Sequence, residues 1–130
     1  MFIDANIFID SYDRGKKAQE CNKFLTRIKR GEQQAVTSPM VLDEVVYVLL
    51  NAIGEKLALR AYLEIVALPN LRILQIDADT VRIVPKYIEK GLMPHDAFHA
   101  ATMRQNKIST ICSYDRDFDI IEGIKRQEPK

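Results

Sequence analysis

The feature that most restricts the fold of this chain is a set of short apolar runs separated by stretches of helical periodicity. Met1-Phe2-Ile3 ends at Asp4 and reads as a buried strand. Gln34–Thr37, Leu71–Ile76 and Ile108–Ser113 read as three more strands, and Ile124–Gln127 as a short fifth. Between them lie helix patterns. Cys21, Phe24, Leu25 and Ile28 share one face of a helix over about 16–30, stopped by Gly31. Ser38-Pro39 supplies an N-cap and a first-turn proline for a helix over 39–53, which Gly54 ends. That helix is apolar nearly all round, from Met40 to Ile53, which predicts burial on every side. Residues 55–68 form the next helix, closed by Pro69. Asp77 or Asp79 caps another that reaches about Lys90, with a kink or late start at Pro85 and an end at Gly91. A last helix begins at Pro94 and runs to about 106. Short apolar strands alternating with helices imply an α/β fold, a central and mostly parallel sheet of four to five strands covered on both faces.

The length of 130 residues suits one domain over 1–130. The net charge of +1 excludes a strongly basic chain but leaves room for a local basic rim around acidic residues. Cys21 and Cys112 fall in a helix and a strand pattern and read as small buried thiols rather than a disulfide framework. No apolar run approaches the length of a membrane span. The opening MFIDANIFID carries two aspartates and no basic residue, unlike a signal peptide, so a cytoplasmic location is expected.

Open parallel sheets bind ligands at the carboxyl ends of their strands. Asp4 ends the first strand, Asp115 follows the fourth, Asp96 opens the helix before it, and Glu44 lies two turns into the helix after the second. Asp4 alone is a turn cap, Asp96 a dipole partner and Asp115 a turn residue as readily as a functional group, whereas the exposed stripe that would explain Glu44 on its helix is thin. Together they are four carboxylates from distant segments that can converge on one edge. Such a cluster cannot ionise fully without a cation, and all-oxygen ligands select Mg²⁺ or Mn²⁺. A divalent ion held there suits phosphodiester hydrolysis. Asn6 can add a neutral contact. In Ser113-Tyr114-Asp115-Arg116-Asp117-Phe118, Asp117 reads better as a turn residue.

Four segments now make the pattern specific: Ile3-Asp4-Ala5-Asn6, Ser38 with Glu44 after it, Pro94-His95-Asp96-Ala97-Phe98-His99-Ala100-Ala101, and Ser113 to Phe118. In this order they resemble the PIN-domain family, and within it the VapC-type toxins. The resemblance implies a three-layer α/β/α sandwich and a divalent-metal endoribonuclease acting on RNA. It assigns the acidic roles to Asp4, Glu44, Asp96 and Asp115, with Asp117 as an accessory metal ligand and Asn6, Ser38 and Ser113 as supporting residues. It also implies an antitoxin protein as partner. The alternatives are an RNA-processing nuclease without an antitoxin and a non-catalytic binding module.

Arg14, Lys16, Lys17 and Arg116 are candidates for RNA phosphates at the rim. Arg27, Lys29 and Arg30 read as a solvated helix face. His95 and His99 have the spacing of zinc ligands on a helix but lack the intervening glutamate of a metalloprotease motif, so packing or hydrogen bonding is expected of them. The aliphatic excess of helices 39–53 and 55–68 predicts a homodimer or a groove for the antitoxin. A haloacid-dehalogenase phosphohydrolase would need an aspartate where Asn6 stands, and a receiver domain an acidic pair just after the first strand.

Overall fold

The computed structural model describes residues 1–130. Five strands form one sheet: β1 (Phe2–Ile3), β2 (Ala35–Thr37), β3 (Leu71–Ile73), β4 (Thr110–Cys112) and β5 (Lys125–Gln127), in the order β3-β2-β1-β4-β5. Every neighbouring pair is parallel, with Phe2 opposite both Val36 and Ile111. The central strand β1 is wholly buried, as are Ile111 and Cys112 beside it. Strands this short are held by what packs on them rather than by their own ladders.

The helices are α1 (Ala5–Asp10), α2 (Lys16–Lys29), α3 (Pro39–Ile53), α4 (Glu55–Val66), α5 (Ala78–Glu89) and α6 (Pro94–Gln105). The chain steps from β1 to β2 to β3 toward one edge, then crosses back to β4. Right-handed crossovers therefore put the helices before and after that reversal on opposite faces of the sheet. The packing agrees, since α1 meets α2 and α3, α3 meets α4, and α5 pairs with α6, while α3 and α6 touch across the layers.

Sequence and structure differ at identifiable places. The short helix α1 was not expected; it forms because the Asp4 carboxylate accepts the Ala5 N–H at 2.8 Å and caps it. A 3₁₀ turn over Arg116–Ile120 was equally unforeseen, and Asp115 caps it through the Asp117 N–H. Helix α5 starts at Ala78, capped by Asp77, and continues through Pro85, so the late start does not occur. Helix α3 is not buried all round: Val41, Leu42, Val45 and Leu49 face the core, but Tyr47 is 68% exposed. An all-apolar helix in a thin layer still turns one side outward.

Cys21 and Cys112 are free and buried, as expected. Burial pushes their thiols up to about 11 and about 12, so neither is a nucleophile at neutral pH. No helix is long and apolar enough to cross a membrane.

Candidate metal centre

The direction of winding reverses between β1 and β4, and the crevice beyond their carboxyl ends is where a doubly wound sheet takes ligands. Asp4 follows β1 directly, and its N–H donates to Cys112 O of β4 at 3.1 Å. Its carboxylate is fixed by three donors. Oδ1 accepts from the Ala5 N–H, and Oδ2 accepts from Ser113 Oγ at 2.5 Å and Asn6 Nδ2 at 2.7 Å. Asn6 Nδ2 also reaches Ser113 Oγ at 3.0 Å, while Asn6 Oδ1 accepts from the Tyr114 N–H at 3.3 Å. Asn6 and Ser113 thus tie the end of β1 to the end of β4. Ser38 stands apart from this network: it caps α3 through the Val41 N–H at 3.4 Å and so acts on the helix that carries Glu44.

Asp96, Asp115 and Asp117 each offer a carboxylate oxygen, and the three atoms lie within 4.8 Å of one another. Asp96 comes from the first turn of α6, and the other two from the 3₁₀ turn after β4. Asp117 therefore belongs to the tightest acidic group, although its spacing from Asp115 reads as a turn. The turn itself is what aims it: the Asp115 carboxylate caps the turn by accepting the Asp117 N–H at 2.9 Å, which holds the two residues together. Arg126 secures this segment. Its guanidinium donates to both Asp119 oxygens, at 2.9 and 3.2 Å, and to Ser113 O at 3.0 Å. No sequence pattern marks Arg126, because its partners are gathered only when β5 lies beside β4.

The charges at this edge are in conflict. Burial pushes the Asp96 carboxyl up to about 6, and the negative charges of Asp4, Asp115 and Glu44 add to it against an opposing pull from His99. Burial raises Asp4 as well, despite its donors and His99. Glu44 moves the other way, because the His99 imidazole beside it favours the carboxylate. Three carboxylates at this separation, two of them half-buried, suit a hard divalent cation, which would remove the repulsion.

His99, of which packing or hydrogen bonding was expected, does pack but makes no hydrogen bond. It is wholly buried, three positions after Asp96 on α6, and packs against Phe2 with ring centroids 5.6 Å apart. Neither ring nitrogen has a hydrogen-bond partner. Nε2 stands 3.7 Å from Asp4 Oδ1 and 3.7 Å from Glu44 Oε2. A buried polar atom left in this way costs about 1–3 kcal/mol, which marks a position kept for something other than packing. The signal for it was a histidine inside the small apolar run Ala97–Ala101, one turn from an acid. His95 is exposed, and the ligand group of metal-binding size contains no histidine.

Next to the acids lies an open hollow of about 400 Å³ lined by Lys16, Lys17, Glu20, Tyr114, Arg116 and Glu128. The Lys17 ammonium sits 4.2 Å over the Tyr114 ring, and Tyr114 Oη donates to Glu20 at 3.2 Å. Three of the four rim candidates therefore share one hollow; Arg14 is exposed but does not line it. Arg27 and Arg30 pair loosely with Glu32, as a solvated face does.

An acidic group at the switch point of a doubly wound parallel sheet is an arrangement consistent with a metal site. Residues 1–124 match the PIN domain family, and the chain belongs to it. Ribonuclease VapC2 of Methanocaldococcus jannaschii is 28% identical over 138 residues, covering 96% of this chain and 91% of that protein. The crystal structure of Mycobacterium tuberculosis VapC20, a sarcin-ricin loop cleaving toxin, superposes with a TM-score of 0.73 at 21% identity, over 91% of this chain and 92% of that one. VapBC2 from Rickettsia felis, bound to a DNA fragment from its promoter, superposes at 0.74 with 14% identity, over 98% and 96%. At such identities the structural likeness speaks for the fold, an α/β sheet flanked by helices.

Proposed function

We propose that the chain is a single nuclease domain over residues 1–130 that hydrolyses RNA phosphodiester bonds with Mg²⁺ or Mn²⁺, as the toxin of a toxin–antitoxin pair in the cytoplasm. The observation that carries this reading is the group formed by Asp96, Asp115 and Asp117 within 4.8 Å, at the strand ends beside the buried Asp4. The relative named Ribonuclease VapC2 and the toxin–antitoxin complex from Klebsiella pneumoniae among the structural neighbours support it.

Asp96, Asp115 and Asp117 would hold the ion, with Asp4 and Glu44 as further ligands or charges around it. The bound ion supplies electrophilic stabilisation of the phosphoryl oxygens and activates water. The chain does the rest. Asp4 cannot rotate, because three donors hold it. Asp115 gives one oxygen to the Asp117 N–H and keeps the other free. Lys16, Lys17 and Arg116 attract the flanking phosphates into the hollow, and Arg116 stands between Asp115 and Asp117 in the same turn.

Purified protein is expected to cut RNA when Mn²⁺ is supplied and to stop when the ion is chelated. A Lys17→Gln, Arg116→Gln variant should raise KM for RNA about tenfold at low salt while kcat changes little, and the salt dependence of binding should fall by about two counterions. Cleavage that persists in excess chelator would remove the metal reading; an unchanged KM would remove the rim.

The face of α3 and α4 turned to solvent carries Tyr47, Leu50, Leu57 and Leu63, the last 65% exposed. We propose that a second copy covers it, giving a two-fold dimer that an antitoxin can then engage. Light scattering is expected to report twice the chain mass at tens of micromolar and the monomer mass for Leu57→Glu, Leu63→Glu. A monomeric wild type would overturn self-association.

A further inference from the structure

We propose that His99 is a positioning residue, which draws the Glu44 carboxylate of α3 over Asp4 and so completes the metal centre from a fourth segment of the chain. The inference rests on the metal reading above and adds to it a residue that is neither acidic nor exposed. Four observations carry it. His99 is 0% exposed, and both its ring nitrogens lack partners, so the protein buries a donor without a local use for it. Nε2 is equidistant, at 3.7 Å, from one oxygen of Asp4 and one of Glu44. Asp4 already has donors from Ala5, Asn6 and Ser113, so it does not need His99 to stay in place. Glu44, by contrast, receives no hydrogen bond from any other group, and its side chain is 37% exposed. A glutamate on a helix surface with three free torsions spreads over solvent unless something holds it. His99 Nε2 lies 3.7 Å from its Oε2 and is the largest influence holding its carboxyl below the usual range.

The geometry also says how the contact works. At 3.7 Å the Nε2 to carboxylate distance exceeds a hydrogen bond by about 0.5 Å. Half an ångström of side-chain motion toward a common centre brings Nε2 into bonding range of Glu44 while Asp4 stays fixed. The ring itself cannot swing away, because Phe2 lies against it and the residue sits in α6 beside Ala97, Ala100 and Ala101, all buried. The immobile partner is thus the histidine, and the mobile one is the glutamate. Helices α3 and α6 touch across the layers, and the approach of His99 to Glu44 is a contact between the helix that bears Glu44 and the helix that bears Asp96.

The test is a calorimetric titration with Mn²⁺ alone, with no RNA present, on five proteins: wild type, His99→Leu, His99→Gln, Glu44→Gln and the double variant His99→Leu, Glu44→Gln. His99→Leu fills the same apolar site without the nitrogen and is expected to weaken Mn²⁺ binding about 10- to 100-fold, the usual loss when a group orienting a ligand is removed. His99→Gln retains an N–H donor at comparable reach and should bind within about threefold of wild type. In the Glu44→Gln background the His99→Leu change should have less than about a twofold further effect, since residues that act through one another are not additive. Electron spin echo spectra of the Mn²⁺-loaded wild type should lack a directly bonded nitrogen. Equal affinity of wild type and His99→Leu would overturn the proposal. So would a His99→Gln variant as weak as His99→Leu, a fully additive effect with Glu44→Gln, or a bonded ¹⁴N, which would make His99 a ligand. If the wild type itself takes up no Mn²⁺, the metal reading falls first and this inference with it; if the wild type binds and His99→Leu binds equally, only the inference falls. Should His99→Leu not fold, the comparison of His99→Gln with wild type together with the spin echo spectrum still decides it.

Discussion

Asp96→Asn is expected to lower metal-dependent RNA cleavage by about 10²–10³-fold, with the fold retained and the metal-free protein slightly more stable at neutral pH. Asp96 is a better probe than Asp4, for a structural reason. Asp4 accepts hydrogen bonds on both oxygens, from Ala5, Asn6 and Ser113. An asparagine there turns an NH₂ toward at least one donor in either orientation and loses about 1–3 kcal/mol of stability. Lost activity in Asp4→Asn would therefore mix two causes. Asp96 makes no such bonds, and its carboxyl is pushed up to about 6, so its charge is net unfavourable in the folded chain even at a helix N-terminus. Removing that charge relieves repulsion from Asp4, Asp115 and Glu44. Single-turnover cleavage and thermal melting measured on the same preparation separate the two effects. An Asp96→Asn protein that cuts RNA at the wild-type rate would remove this residue from the centre.

The same electrostatics make stability depend on pH and on divalent cation. For Asp96 the folded pKa of about 6 lies above the unfolded value of about 3.9, so between them the folded state binds more protons. Its contribution is therefore fully present below the unfolded pKa and is lost as pH rises through the folded one. Asp4 is shifted in the same direction. Glu44 is shifted oppositely, so its favourable contribution is present above its unfolded value and lost only as pH falls through the lowered one, outside this window. Metal-free protein should thus become less stable from about pH 4.5 to about 6 and stay so above it. For the half-buried Asp96, solvent screening reduces the effect to about 1 kcal/mol, or about 3–5 °C in Tm. Mn²⁺ at a hundred times its dissociation constant should reverse it with about 2.7 kcal/mol of stabilisation at pH 7, near 10 °C in Tm. Monovalent salt of equal ionic strength is the control, since screening also relieves repulsion. The slope should flatten in Asp96→Asn. If Mn²⁺ raises the wild-type Tm no more than the control salt, the carboxylates hold no ion.

The alternation of apolar strands and helices determined the parallel sheet by itself, because the two periodicities, of two and of about 3.6 residues, leave few ways to bury both. Caps were equally local. Ser38 with Pro39 starts α3 where the sequence said it would, because the donors they satisfy or lack lie within one turn. The acidic residues could be nominated for the same reason: Asp4, Asp96 and Asp115 stand at strand ends and helix starts, and a doubly wound sheet puts those positions on one edge. What the chain could not disclose was which groups touch. Asp117 joined the ligand group, and Arg126 became its clamp, only when the 3₁₀ turn and β5 folded against β4. Helix α3 proved exposed on one side because only the packed layers decide how much apolar surface has a neighbour. His99 shows the limit most plainly. Its contacts, Asp4 and Glu44, are ninety-five and fifty-five positions away, so distance in space alone makes it part of the centre.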